Sequence, residues 1–227
     1  MKKAVIFDLD DTLAPEEEYV KSGYRCVAGH IEGKFLRGIT AEKLYEELYS
    51  LYETDHKNVF NRLLEAHSVF YTKENIRELV DVYRTHRPVL SFYEDVRPVL
   101  TALRERKIGT GIISDGYAMT QTQKLEVLGA KQLFDKIILT DELGREYWKP
   151  AYPVYEMMRL FFQIDFSEMI YVGDNPQKDF YIGKEYPILT VRIDRGDGVY
   201  AHCDYKDGIR EKVRIRSLME LLPLTER

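Results

Sequence analysis

The side chains of this sequence best suited to chemistry gather in four short polar groups expected at strand ends, three of them directly behind an apolar run. The first is Asp8-Leu9-Asp10-Asp11-Thr12, which follows Ala4–Phe7. Asp8 and Asp10 are two residues apart, so an extended chain would point both carboxylates to the same side. Carboxylates that close repel one another unless a cation or a shared proton offsets the repulsion. The pattern suits a hard-metal site with one carboxylate left to attack an electrophile; the plainer alternative is an acidic turn whose Asp caps the next helix.

The second group is Ser114-Asp115-Gly116, where a hydroxyl and backbone N–H groups entering a helix form a natural cradle for phosphate. The third is Trp148-Lys149-Pro150, whose ammonium is suited to holding a phosphate oxygen and to relieving carboxylate repulsion. The fourth is Gly173-Asp174-Asn175-Pro176-Gln177-Lys178-Asp179. Asp174 can complete the oxygen shell of a magnesium ion, and Asp179 can hold Lys149 or a water. Each group alone also reads as a turn, a helix cap or a surface side chain. As a set they supply a nucleophile, a second acid, a hydroxyl, a lysine and another carboxylate.

Short apolar runs at 4–7, 108–113, 137–139, 169–172 and 188–193 must position these groups. They are continuous rather than alternating, as expected of strands buried on both faces. Helical patterns lie between them, at 95–106, Ala118–Leu128 (closed by Gly129) and Pro153–Phe162. Strands alternating with helices imply an α/β fold with a doubly wound, Rossmann-like parallel sheet, in which ligands bind beyond the carboxyl ends of the strands. The tail reads as a turn at 195–198, a strand at Val213–Ile215 and a helix at 218–222, with no chemistry assigned.

Residues 14–87 break the rhythm. Val20, Tyr24, Val27, Ile31 and Phe35 recur at helical spacing behind Pro15. Leu44, Leu48 and Leu51 follow Thr40; Val59, Phe60, Leu63 and Leu64 follow Asp55; Ile76, Leu79, Val80 and Tyr83 follow Thr72. The expectation is a helical cap over 14–87, inserted into an α/β core made of 1–13 and 88–227.

Composition narrows the possibilities. The chain has 227 residues, 44% of them apolar and 31% charged, which suits a globular protein rather than a disordered one. The net charge is −5, and neither 14–87 nor the remainder is basic, which argues against gripping a nucleic-acid backbone. No apolar run approaches the ~20 residues of a membrane span, and the start of the chain does not read as a signal peptide. Cys26 and Cys203 lack metal-like spacing and are expected to be reduced, structural thiols of a cytoplasmic protein.

The four groups, in this order, resemble the motifs of the haloacid dehalogenase-like superfamily: DxDxT at 8–12, Ser114, Lys149 and GDxxxxD at 173–179. A helical segment directly after the first motif resembles that superfamily's α-helical cap. The resemblance implies that Asp8 attacks phosphorus to form an aspartyl-phosphate, and that Asp10 protonates the leaving alcohol and then deprotonates water. It implies Mg²⁺ held by the Asp8 and Asp174 carboxylates and the Asp10 main-chain carbonyl. Ser114 and Lys149 would hold phosphoryl oxygens, helped by Thr12 and the backbone around Asp115 and Gly116, with Asn175 and Asp179 in support.

Asp10 favours ester hydrolysis over dehalogenation, which has no leaving alcohol to protonate. A phosphomutase would keep the same core residues. A phospho-accepting signalling receiver would order its carboxylates differently and would have no use for the insert. The implied partner is a small phosphorylated metabolite, such as a nucleotide or sugar phosphate. In the insert, Tyr19, Lys21, Tyr24 and Arg25 are candidates for substrate selection.

Overall fold

The computed structural model describes residues 1–196 and 198–226. Asp197, within the turn expected at 195–198, lies outside the described residues. Six strands, β1 (Ala4–Phe7), β2 (Gly109–Ser114), β3 (Lys136–Leu139), β4 (Met169–Gly173), β5 (Leu189–Ile193) and β6 (Val213–Ile215), form one sheet in the order β3-β2-β1-β4-β5-β6. Every neighbouring pair is parallel. The helices are α1 (Glu16–Lys34), α2 (Ala41–Thr54), α3 (Val59–Ala66) and α4 (Lys73–Thr85), followed by α5 (Val96–Glu105), α6 (Ala118–Leu128), α7 (Pro153–Phe162) and α8 (Ile182–Glu185).

The continuous apolar runs are explained by cover on both faces. In β1, Val5 and Phe7 point into one core with Val99, Leu103, Leu125 and Leu221, while Ala4 and Ile6 point into another with Val154, Met158 and Ile182. The first core lies under α5, α6 and the 3₁₀ segment Leu218–Glu226; the second lies under α7 and α8. The sheet reverses its order at β1, which pairs with both β2 and β4. That reversal opens the crevice where such sheets bind ligands. Asp8 sits at its mouth, its backbone N–H donating to the Val172 carbonyl at 2.8 Å.

The chain divides into two compact units, one of Met1–Glu16 with Leu90–Arg227 and the other of Glu17–Val89. The second unit packs α1 to α4 around Val27, Ile31, Leu44, Leu48, Leu63 and Leu79. Thr40 caps α2, and Thr72 with Asn75 forms a reciprocal capping box on α4.

Local chemistry shifted several expected boundaries. Asp55 closes α2 by donating its N–H to the Leu51 carbonyl at 3.1 Å; α3 opens later, after Asn58 in a left-handed conformation. The tail folds as a 3₁₀ segment, not as the expected α-helix, around Pro223, which lacks an N–H for helical bonding. Both cysteines are free but exposed, so neither is a structural thiol.

One clamp ties three distant segments of the first unit. The Arg195 guanidinium donates to both Asp95 carboxylate oxygens, at 2.9 and 3.0 Å, and to the Thr12 carbonyl at 2.7 Å. Asp95 also accepts from the Ser217 hydroxyl and the Leu218 N–H. Burial alone would raise the Asp95 carboxyl, but Arg195 and the Leu218 amide prevail and hold it below the ordinary carboxylate range.

A carboxyl depressed on folding stabilises the protein above its unfolded pKa and loses that contribution as pH falls through the folded one. Asp95→Ala should therefore cost ~1–2 kcal/mol at neutral pH, discounted because the pair is partly solvated. Urea unfolding should show the gap to wild type narrowing as the pH is lowered below ~4.

Candidate active site

Asp8 follows β1, Ser114 ends β2, and Asp174 follows β4, so three of the four polar groups leave adjacent strands at the same end of the sheet. Lys149 arrives from the loop before α7, with its side chain fully buried. Its ammonium donates to Asp8 and Tyr171, the latter at 2.9 Å, and lies 2.9 Å from Asp179. The Tyr171 hydroxyl donates onward to Asp179 at 3.0 Å. Burial would lower the lysine's pKa, but Asp179, Asp8 and Asp115 raise it well above the ordinary value, so it stays charged.

Carboxylate oxygens of Asp8, Asp174 and Asp179 all lie within 4.8 Å of one another, and all three residues are buried. Burial pushes the Asp8 carboxyl up to about 6, against the pull of Lys149. The Asp174 carboxyl is raised further by burial and by the charges of Asp179, Asp8 and Asp11, and its Oδ2 is buried without a hydrogen-bond partner. An all-oxygen donor set with an orphaned carboxylate oxygen fits a hard divalent cation, which would reverse the electrostatic strain.

The GDxxxxD loop is built around Asp179. That carboxylate accepts the Asn175 N–H at 2.9 Å, and the Asn175 carbonyl accepts the Asp179 N–H at 3.1 Å. A Cβ at position 173 would collide with the Asp179 carboxylate, so the close approach requires Gly173. Asn175 is buried and turns the loop by accepting the Gln177 N–H at 2.8 Å.

Asp10 departs from expectation. The chain does not stay extended past Asp8: the Leu9 carbonyl accepts N–H groups from Leu13 and Ala14, and Asp11 is left-handed at φ 51°. The Asp10 carboxylate therefore turns toward α6, accepting from Lys124 Nζ at 2.6 Å and Gln121 Nε2 at 2.8 Å. Asp179, not the Asp10 side chain, is the third member of the carboxylate cluster. The turn frees Asp11 to brace the loop, with its carboxylate accepting the N–H groups of Glu16 and Val199 at 2.9 Å each.

The residues expected to cradle phosphate fall on this same end. Ser114 is the last residue of β2 rather than a helix cap, and α6 opens after Tyr117 without a side-chain cap bond. Ser114 Oγ accepts from Gln121 Nε2 at 2.6 Å. Asp115 is consumed structurally, accepting from Thr140 Oγ1, the Lys149 N–H and Lys178 Nζ at 2.9, 3.1 and 3.0 Å. Gly116 has φ +115°, which suits glycine. Thr12 Oγ1 is buried with no partner, a donor available to a ligand.

The four candidates in the second unit are divided. Tyr19 is buried, with its hydroxyl donating to the Tyr83 carbonyl at 3.2 Å and its ring against Tyr83 and His86; Tyr24 packs among Tyr52, Phe60 and Tyr83. Lys21 pairs with Glu17 at 2.7 Å, and Arg25 lies 4.3 Å from the Tyr45 ring centroid.

Sequence reasoning passed over Gln121, Lys124, Tyr171, Lys178 and Thr140. Gln121 and Lys124 did carry a signal: both sit on the α6 face that also bears the buried Leu125 and Leu128, where apolar residues are expected.

The Lys149 ammonium lies against both Asp8 and Asp179, so replacing it with Met should leave buried carboxylates uncompensated. We expect Lys149→Met to lose ~3–5 kcal/mol in denaturant unfolding, and Tyr171→Phe only ~1 kcal/mol. Equal losses from the two would contradict this assignment of charge balance.

Three comparisons bear on identity. The sequence profile of the haloacid dehalogenase-like hydrolases matches residues 5–193. The glyceraldehyde 3-phosphate phosphatase of Methanopyrus kandleri is 32% identical over 201 residues, covering 86% of this chain and 85% of that protein. The phosphoserine phosphatase of Thermus thermophilus is 26% identical, covering 86% and 89%. The crystal structure of a HAD phosphatase from Thermococcus onnurineus superposes with a TM-score of 0.60 at 25% identity, covering 99% of this chain and 97% of that one. With a profile match across most of its length, a six-stranded parallel sheet and four motif groups meeting at one end of that sheet, the chain belongs to the haloacid dehalogenase-like hydrolase family.

Proposed function

We propose that this protein is a phosphatase of small phosphorylated metabolites, acting in the cytoplasm with Mg²⁺ and passing through a phosphoryl group carried on Asp8. One observation carries the reading: the Asp8 carboxylate lies at the crevice between β1 and β4, clustered with Asp174 and Asp179 and contacted by the Lys149 ammonium. A nucleophile held there has an anchored cation beside it and, in Asp174 Oδ2, an unpartnered carboxylate oxygen suited to a second.

In this reading the Asp8 carboxylate attacks phosphorus in line with the departing ester oxygen. A bond forms from the Asp8 oxygen to phosphorus as the bond from phosphorus to the alcohol oxygen breaks. Asp10 gives that oxygen a proton, then takes one from the water that attacks the aspartyl-phosphate and releases inorganic phosphate. Lys149, Ser114 Oγ and Thr12 Oγ1 hold phosphoryl oxygens, with the backbone of Asp115 and Gly116 alongside. Asp179 and Tyr171 fix Lys149, and Asn175 fixes Asp179. The carboxylates of Asp8 and Asp174 and the main-chain carbonyl of Asp10 would hold Mg²⁺, which would supply the charge neutralisation an anionic nucleophile needs to meet a phosphate dianion.

Residues 14–87 are proposed to act as a cap that admits substrate and excludes bulk water. Lys21 and Arg25 are its proposed selectors of substrate, while Tyr19 and Tyr24 serve the packing of this segment. The similarity to glyceraldehyde 3-phosphate and phosphoserine phosphatases supports a short phosphate ester as substrate. Those two esters therefore head the panel, with nucleotide and sugar phosphates behind them.

The test is phosphate release from that panel with and without Mg²⁺. We expect turnover of at least one ester, loss on chelation and recovery on adding Mg²⁺. Asp8→Asn should abolish turnover while leaving circular dichroism and unfolding cooperativity intact; activity retained in that variant would overturn the reading. Saturating Mg²⁺ at ~100 times its Kd should stabilise the wild type by ~2.7 kcal/mol, and Asp174→Asn should remove most of that gain.

A further inference from the structure

The face of α6 turned inward is chemically odd. Gln121 and Lys124, one turn apart, are 1% and 2% exposed, and they stand where Leu125 and Leu128 continue the core. Burying an ammonium and an amide on an apolar face is costly unless both are fully engaged. Local departures from the apolar pattern of this kind concentrate at functional sites.

Both side chains converge on one carboxylate. Lys124 Nζ donates to Asp10 Oδ1 at 2.6 Å and Gln121 Nε2 to Asp10 Oδ2 at 2.8 Å. The same Gln121 nitrogen donates to Ser114 Oγ at 2.6 Å. One amide thus joins the carboxylate proposed to move the proton to the hydroxyl proposed to hold a phosphoryl oxygen. Lys124 is itself steadied from a second side by Glu16, at 3.9 Å. The backbone makes room for the arrangement: a Cβ added at Gly116 would stand 3.3 Å from the Gln121 carboxamide carbon.

We propose that Gln121 and Lys124 are positioning residues that set where the Asp10 carboxyl stands relative to the scissile bond. The proposal rests on the phosphatase reading and adds to it an α6 device that none of the four motif groups contains. The bond from phosphorus to the ester oxygen breaks as the Asp8 oxygen bonds phosphorus, and the proton leaves Asp10 for the departing oxygen. Gln121 and Lys124 touch neither phosphorus nor the leaving group. Their effect on discrimination between leaving groups runs through the alignment of that proton transfer, whereas any effect of Gln121 through Ser114 falls on all esters alike.

This makes a distinctive prediction, because a good leaving group departs without a proton and a poor one does not. The enzyme is assayed against p-nitrophenyl phosphate and phenyl phosphate, two aryl esters of similar size, and kcat/KM is compared because it reports formation of the phosphoenzyme. In Gln121→Leu, which changes no charge, the ratio of kcat/KM for p-nitrophenyl phosphate over phenyl phosphate should rise roughly tenfold or more. Lys124→Met should shift it in the same direction.

A merely structural role would lower both rates together, and an unchanged ratio in folded variants overturns the proposal. Should Gln121→Leu fail to fold, Gln121→Met, which keeps a flexible side chain of similar length, carries the same two outcomes. Wild-type enzyme inactive on both esters and on the metabolite panel would instead overturn the phosphatase reading itself.

Discussion

The structure depends on a repulsion and its remedy. Three carboxylates, from Asp8, Asp174 and Asp179, are brought together in a buried pocket where they oppose one another. Two like charges about 4 Å apart repel by roughly 4 kcal/mol at the effective dielectric of a protein. Lys149 answers part of this, held against Asp8 and Asp179, with the Tyr171 hydroxyl bridging Lys149 and Asp179. The remainder falls on Asp174, whose carboxyl is raised well above its ordinary range and keeps a buried oxygen without a partner. A site left in this condition by its own protein groups is prepared for an added cation, and the proposed chemistry follows from that.

The fold makes the arrangement possible by geometry alone. Parallel strands end together, and the reversal of order at β1 sets the residues after β1 and β4 side by side, with the end of β2 next to them. The loop after β1 is then fixed from several directions. Asp11 accepts two backbone N–H groups, Arg195 holds the Thr12 carbonyl, and α6 holds Asp10. Such bracing suits a nucleophile that must meet its target within a few tenths of an ångström.

Much of this was legible in the sequence, for physical reasons. Strands buried on both faces must be short continuous apolar runs, so β1, β2 and β4 announced themselves and their ends marked three of the four polar groups. Ala118–Leu128 and Pro153–Phe162 were delimited by a glycine able to turn left-handed and by a proline at a helix start. What could not be read was whatever depended on direction rather than spacing. Asp8 and Asp10 share a side only while the chain is extended, and a left-handed Asp11 ends that. Gln121 and Lys124 interrupt an apolar helix face, but periodicity reports which face a residue occupies and not what meets it there. Tyr24 was rightly placed on an apolar stripe, whereas Tyr19 needed the packing of Tyr83 and His86 to be placed inside. The 3₁₀ tail and the late start of α3 were settled by single residues, Pro223 and Asn58, whose local effects outweighed the apolar pattern.

The most direct measurement is the location of the phosphoryl group during turnover. Enzyme mixed with a substrate ester should be quenched in acid within the first turnover, digested and mapped by mass spectrometry. The account predicts an acid-stable, base-labile acyl phosphate on the peptide that begins the chain, at Asp8 and at no other residue. A phosphoryl group on a different side chain, or phosphate released with no covalent enzyme species formed at any time, would contradict it.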